Sequence, residues 1–559
     1  MNIEEVQRRL WEQSQAHKQH RESGTPLFPT NPREGRIGKL MDLMHNPTWT
    51  AAACDRVLKR SRGKAAGVDG VRVHDFDRNR EGRLEELRLE LKRDTYRPLP
   101  LRRVEIPKTN GKMRQLGIPC LRDKVVQEAI RMALEPIFEV EFHDNSYGFR
   151  PNRSTHHATS RCQFMAMTGF TWIIEGDVKA CFDEISHNAI LRGVREKVKD
   201  NRFLDLINRL LKAGVEIEGV VHPTDRGVPQ GGVVSPLLSN VVLNGLDWFL
   251  HSKGSYGAAA QKRADHGKPN VRFTRYADDW CAFLTRCHRR YAERLQNEIG
   301  DFLRETCGLE LSAAKTRITH VRDGYDFLGF HISAGIGKSG TVVPKVKVGR
   351  KAITNIQTRL GEVLCHRPSQ ESVSVRLEHA SAVIRGWANY FKVAHNYSKV
   401  AHGLDHKAYW MAVKAICRKE DISPAKCLRK YALGNTLGVH EHCALARFQD
   451  TAWSYFPTTP DPYQPGSHQP QMEDDEWEAA FVLPDRDRPG RGDLKWQALV
   501  RDGFHCRGCA VVVTSKTSRA DHIVPVNRFA NLDMANSLDN IQTLCLRCDK
   551  LKTARESCA

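Results

Sequence analysis

The stretch RFTRYADDWCAFL, Arg272 to Leu284, sets two adjacent carboxylates, Asp278 and Asp279, between short runs that read as β-strand. The pattern predicts a hairpin whose tight turn falls near Ala277 and Asp278, leaving both acids at its tip. Two neighbouring anions repel each other unless something positive binds them. An ordinary surface turn, where Asp is common, has the same local pattern. A second stretch shifts the balance. In TWIIEGDVKACFDEIS, Thr171 to Ser186, the apolar run Trp172 to Ile174 delivers Asp177 at its end. Three carboxylates on neighbouring strands can hold two Mg²⁺ ions, which activate a primer 3′-hydroxyl and stabilise the leaving pyrophosphate during in-line nucleotidyl transfer.

The bulk composition points the same way. The chain has 559 residues, enough for three or four domains. Its 86 Lys and Arg outnumber 66 Asp and Glu, giving a formal charge of +20. The basic residues run along the whole chain rather than forming a tail, which suits a polyanionic partner such as nucleic acid. A protein that is merely basic has the same balance. No apolar run is long enough to span a bilayer, since even GVVSPLLSNVVLNGL is broken by Ser, Pro and Asn. The start, MNIEEVQRRLWEQSQ, is too polar and acidic for a signal peptide. A cytoplasmic protein with no membrane partner is expected. Of 16 cysteines, those between Cys54 and Cys443 show no repeating spacing, as befits small buried residues in a reducing compartment. The rest crowd into the last segment and mark a separate module.

Along the chain, residues 1–35 read as a loosely attached polar arm. From 36 to 335, strand-like runs alternate with amphipathic helical patterns, the mark of an α/β or α+β catalytic body. One helix candidate is LRDKVVQEAIRMALEPIFEVEF, with Val125, Ala129, Met132 and Pro136 setting its face and a kink. Residues 345–450 are mainly helical and basic, 451–490 gather Pro, Gln and acids as a linker and DNA-binding region, and 491–559 form the Cys-rich end.

YADD after GDVKACFDEIS, with RGVPQGGVVSPLLSN between them, resembles the reverse transcriptases, most closely those encoded within bacterial group II introns. GVDG at Gly67, IPKTNGKMRQLGIP at Ile106, SYGFRPNRS at Ser146, LSAAKT at Leu311 and FLGF at Phe327 extend the resemblance over most of the chain. It implies a multidomain α+β protein: a right-hand polymerase with fingers and palm over 36–335 and a helical thumb over 345–450. On matching positions, Asp177, Asp278 and Asp279 are the metal carboxylates. Phe182 is a bulky gate against a 2′-hydroxyl, favouring deoxynucleotides (dNTPs). Lys108 and Arg114 meet the triphosphate, although solvated surface charges would look the same. Gln230 contacts the nucleotide, while Gly231 and Gly232 let the backbone approach. Lys315 matches a position proposed to protonate pyrophosphate, yet also suits a helix-surface lysine.

In SAVIRGWANYFKVAHNYSKV, Ile384, Trp387, Ala388 and Phe391 recur at helical spacing and predict a core-facing helix. IRGWANYF resembles the maturase segment, domain X, that grips intron RNA in this family. At the far end, FHCRGCAVVV and LCLRCDKLKT supply Cys506, Cys509, Cys545 and Cys548, two knuckles spaced for a structural Zn²⁺. A zinc-stapled DNA-binding ribbon without catalysis has the same cysteines. RADHIVPVNRF and NSLDNIQTLC between and beside them resemble HNH nucleases, in which a small ββα-metal module holds Mg²⁺ or Mn²⁺. That match makes His522 a general base, Asp521 a metal ligand and Asn540 a loop-ordering residue. Asp549 stands where many relatives have His, and a carboxylate also ligates Mg²⁺ or Mn²⁺.

The expectation is therefore a reverse transcriptase and maturase with an HNH endonuclease. Its partners would be group II intron RNA, target double-stranded DNA and an RNA template/DNA primer duplex, with nucleoid association when it acts on DNA.

Overall fold

The computed structural model describes residues 1–23, 36–107, 113–229, 231–337, 342–365, 371–439, 443–457 and 460–465. In the Cys-rich end it describes 502, 506–509, 518–523, 541–545, 548 and 552.

Strands β1 (Leu101–Pro107) and β2 (Met113–Ile118) pair antiparallel, and β1 runs parallel to β4 (Val215–Ile217), which turns back into β5 (Val220–His222). A second sheet has the order β6-β7-β3-β8, from β3 (Trp172–Asp177), β6 (Asn270–Tyr276), β7 (Asp279–Thr285) and β8 (Arg317–His320), all antiparallel. Both its faces are covered, which explains its near-continuous apolar strands. Ile174, Trp280, Ala282 and Leu284 face one core, shared with the helices Leu121–Phe138 and Ser235–Ser252. Ile173, Cys281 and Phe283 face a second core. That second core continues through β9 (Tyr325–Phe327), β10 (Phe330–Ile336) and β11 (Val342–Val348) into helices Arg350–Cys365, Val373–Phe391 and Tyr397–Glu420. Antiparallel β10 and β11 span the expected boundary region at 335–345.

The IRGWANYF helix buries Ile384, Trp387, Ala388 and Phe391 and leaves Arg385 exposed, the split its spacing predicts. The helix Leu121–Phe138 differs from expectation, because it is buried on every side rather than amphipathic. Its buried acids are tolerated because they are hydrogen-bonded or paired. Glu128 accepts from Arg131 at 2.8 and 2.9 Å and from Arg60 at 3.2 Å. Burial opposes its charge, but Arg131, Arg60 and Arg56 outweigh that and hold the carboxyl down at about 2.

Over residues 3–23 the loosely attached arm is corrected. Residues Ile3–Ser23 form a helix packed on Leu121–Phe138. Gln7 Nε2 donates to Met132 O at 2.9 Å, Ser14 Oγ to Ile137 O at 2.8 Å and Lys18 Nζ to Val140 O at 2.7 Å. Polar side chains that read as solvated thus satisfy the Met132 carbonyl, which Pro136 leaves without its helical N–H, and carbonyls at and just past the end of the helix. Among the described residues no helix is long and apolar enough to cross a membrane.

Candidate functional site

The β6–β7 hairpin turns over two residues, Ala277 and Asp278, with Ala277 in the left-handed region at φ +55°. Register then decides the chemistry. Asp177 is the antiparallel partner of Asp279, so the end of β3 meets the start of β7. Directly opposed residues project to one face with Cβ atoms about 5 Å apart. Asp177 and Asp279 therefore share a face, and Asp278 adjoins them at the turn. The preceding pair, Gly176 and Trp280, explains the glycine of EGD. A Cβ at Gly176 would stand 2.0 Å from Trp280 Cζ2.

The acidic cluster carries a cation already. Ser312 N donates to Asp177 O at 2.9 Å, which draws the segment after Leu309 alongside β3. Lys315 sits there in a turn, not on a helix, and its Nζ lies 2.9 and 3.0 Å from the two Asp177 carboxylate oxygens. Desolvation, then the charges of Asp278 and Asp177, push the Asp279 carboxyl up to about 7, against the pull of Lys315. Asp279 is solvent-exposed, so the like charges are the firmer of these causes. A carboxylate so placed would gain from a divalent ion, and carboxylate oxygens are the donors such an ion takes.

Under the turn lies a group the sequence reading missed. Arg275 is fully buried and donates through Nε and Nη2 to Asp247 at 2.7 and 2.6 Å, and through Nη1 to Asn240 Oδ1 at 2.9 Å and Ala277 O at 2.8 Å. Asn240 Nδ2 in turn donates to Gly148 O at 2.8 Å. Gly148 presses on the turn so closely that a Cβ there would meet Ala277 N at 2.3 Å. The available signal was the alternation: Arg275 follows Val271 and Phe273 on the core-facing side of β6, and a charge at such a position requires a buried partner.

Phe182 lies on the short helix Cys181–Glu184, half-buried. Its carbonyl accepts from Val228 N at 2.6 Å, tying it to the chain entering PQGG. Beyond that segment, Gly231 has φ +108°, and Val233 N donates to Gln127 Oε1 at 2.7 Å. Arg114 is in β2 opposite Ile106. Lys108 and Gln230 lie outside the described residues.

In the Cys-rich end, Cys506, Cys509, Cys545 and Cys548 place their Sγ atoms within 4.8 Å of one another, with Cys509 and Cys545 at 3.8 Å. Four thiolates around one zinc at ~2.3 Å sit about 3.8 Å apart, so the cluster fits that ion. Burial raises the Cys506 thiol, but N–H groups of Cys545, Gly508 and Cys509 outweigh it and bring the group down to about 7, favouring thiolate. Strands β12 (Ser518–His522) and β13 (Ile541–Cys545) form an antiparallel ribbon that sets Asp521 opposite Gln542 and His522 opposite Ile541. Asp521 accepts from Gln542 Nε2 at 3.2 Å and pairs with Lys552. Here too a lysine ammonium meets a carboxylate expected to face a metal. Asn540 and Asp549 lie outside the described residues.

A family model described as reverse transcriptase (RNA-dependent DNA polymerase) matches residues 106–332. The group II intron maturase-specific domain matches 353–431, and HNH endonuclease matches 506–555. Protein YkfC of Escherichia coli is 40% identical over 318 residues, 53% of this chain and 83% of that protein. The group II intron-encoded protein LtrA of Lactococcus lactis is 32% identical over 338 residues, 52% of this chain and 56% of its own length. A putative COX1/OXI3 intron 2 protein of Saccharomyces cerevisiae is 27% identical over 471 residues, 70% of this chain and 55% of its own. The chain thus spans little more than half the length of the last two.

Proposed function

This chain belongs to the group II intron-encoded reverse transcriptases and maturases, and we propose that it binds its intron RNA, assists splicing and supports insertion of that intron into DNA. Insertion would combine nicking of the second DNA strand by the HNH module with cDNA synthesis primed from the nick. The observation that carries this reading is the register that opposes Asp177 to Asp279 beside Asp278.

We read the β6-β7-β3-β8 sheet as the palm, the β2-β1-β4-β5 sheet as part of the fingers and the helices from Arg350 to Glu420 as the thumb. Asp177, Asp278 and Asp279 would hold two Mg²⁺ ions, which when bound supply activation of the primer 3′-hydroxyl and neutralise developing charge. The chain's own residues do the rest. Lys108 and Arg114 meet the triphosphate. Gln230 contacts the nucleotide in a turn whose glycines admit the backbone. Phe182 excludes a 2′-hydroxyl by bulk. Lys315, already drawn to the site by Asp177, hands a proton to the departing pyrophosphate.

In the HNH module, four cysteine thiolates would hold a structural zinc. Asp521 and Asp549 would hold Mg²⁺ or Mn²⁺, His522 would take a proton from water, and Asn540 would order the loop around it. Its substrate would be target double-stranded DNA. The polymerase substrate would be an RNA template/DNA primer duplex with dNTPs. Those substrates suit a cytoplasmic, nucleoid-associated protein.

The test uses the full chain with RNA of the intron that encloses its reading frame. Asp278→Ala should abolish cDNA synthesis while splicing persists, and His522→Ala should abolish second-strand nicking while insertion into the first strand continues. Nicking that survives His522→Ala would overturn the general-base assignment.

A further inference from the structure

Phe182 stands on a helix of only four residues, Cys181–Glu184, entered through Ala180 at φ +44°. A single turn has no stability of its own, so the direction of its ring is set by what touches it. One contact stands out. The Phe149 ring meets Phe182 edge to face, with centroids 6.4 Å apart and planes at 88°. It also lies 6.4 Å from the Tyr276 ring, one residue before the catalytic turn. The Phe149 backbone has φ +56°, a left-handed conformation that a bulky residue adopts only when its surroundings over-determine it.

Those surroundings are visible. Tyr147 N donates to Arg275 O at 2.9 Å, and Asn240 Nδ2 to Gly148 O at 2.8 Å. On the other side, buried Arg150 donates to His143 O at 2.7 Å and Ser146 O at 2.8 Å and pairs with Glu139 at 3.0 Å. The loop is pinned on both flanks of Phe149, and its position follows the same Arg275 backbone that leads into the acidic turn. Glycine would relieve the backbone strain at Phe149, yet the chain keeps an aromatic ring whose edge rests on the face or rim of Phe182.

We infer that Phe149 is a positioning residue for sugar selection: its ring fixes the Phe182 ring against the place of the 2′-hydroxyl, so that discrimination against ribonucleotides depends on both. This rests on the reading of Phe182 as the gate. Phe149 acts through Phe182 and does not itself touch the reacting atoms.

The test is single-nucleotide primer extension by the full chain, measuring kcat and KM separately for a dNTP and the matching ribonucleotide. The variants are Phe149→Gly, Phe149→Tyr, Phe182→Ala and the double Phe149→Gly/Phe182→Ala. Glycine is chosen because it favours φ +56°, so the ring is removed without adding backbone strain. Phe149→Gly should lower the dNTP:ribonucleotide ratio of kcat/KM by about tenfold, the size of one lost aromatic contact, chiefly through a lower ribonucleotide KM. Phe149→Tyr should restore the ratio. The double variant should discriminate no worse than Phe182→Ala alone, because one residue works through the other. If Phe182→Ala lowers the ratio while Phe149→Gly leaves it unchanged, scales both nucleotides equally, or adds fully to Phe182→Ala, the inference is wrong and the gate stands. If Phe182→Ala itself changes nothing, the gate reading fails and takes this inference with it.

Discussion

Replacing Arg275 by Met gives the sharpest check on how the acidic turn is held. The guanidinium is fully buried and makes two hydrogen bonds to Asp247, one to Asn240 and one to the carbonyl of Ala277. Methionine fills most of the volume but leaves Asp247, itself fully buried, as an uncompensated anion. Breaking such a pair from one side costs about 3–5 kcal/mol. Removing both charges, in Arg275→Met/Asp247→Leu, costs less, about 1–2 kcal/mol, because no charge is stranded. A chain with several modules has no single unfolding free energy, so the readout should be local. Hydrogen exchange of peptides covering residues 270–285 serves, since tenfold in rate corresponds to about 1.4 kcal/mol of opening free energy. Arg275→Met should accelerate exchange there by about 100- to 4000-fold, and the double variant by much less. Acceleration below tenfold, or a double variant as damaging as the sum of the singles, would refute the idea that this ion pair anchors the turn.

Three further outcomes are expected. Gly176→Ala drives a Cβ to 2.0 Å from the Trp280 ring, so it should destabilise the sheet locally by about 1–3 kcal/mol and depress primer extension, read by hydrogen exchange of peptides covering β3 and β7 and by rate. The purified protein should carry about one zinc, measured by elemental analysis, and Cys506→Ser or Cys548→Ser should lose it. His143 provides a pH test. Burial first, then His251, pushes its imidazole down to about 4 from 6.5, and its Nδ1 accepts from Asn145 N at 3.0 Å, which requires the neutral ring. A base with a depressed folded pKa contributes stability that is intact above 6.5 and lost as pH falls towards 4. This group should remove on the order of 3 kcal/mol of local stability over that window, and His143→Gln should flatten the rise in hydrogen exchange of the peptides around His143 as pH falls.

The hairpin turn at Ala277–Asp278 and the strand ending at Asp177 were legible because strand and turn chemistry are local. The cysteine knuckles were legible because ligand spacing is local too. What escaped was pairing across the chain. Arg275 and Asp247 are 28 residues apart, and nothing in either neighbourhood names the other. Periodicity marked the apolar face of Leu121–Phe138, but Glu128 is buried because Arg60 and Arg56 reach it from a distant helix. The N-terminal helix misled for a related reason. Its polar side chains cap carbonyls more than 100 residues away, so composition read it as solvated. Phe149 stood inside the SYGFRPNRS motif without a role, since only its positive φ and the Phe182 ring give it one.

The central claim is that Asp177, Asp278 and Asp279 gather divalent cations so that a DNA end can be extended along RNA. It is tested most directly by giving the purified full chain Mg²⁺, dNTPs and a DNA primer annealed to an RNA template. Extension that requires Mg²⁺ and disappears in Asp278→Ala and Asp279→Ala is the predicted result. A wild-type protein that adds no nucleotides, or variants that extend as well as it does, would contradict the account.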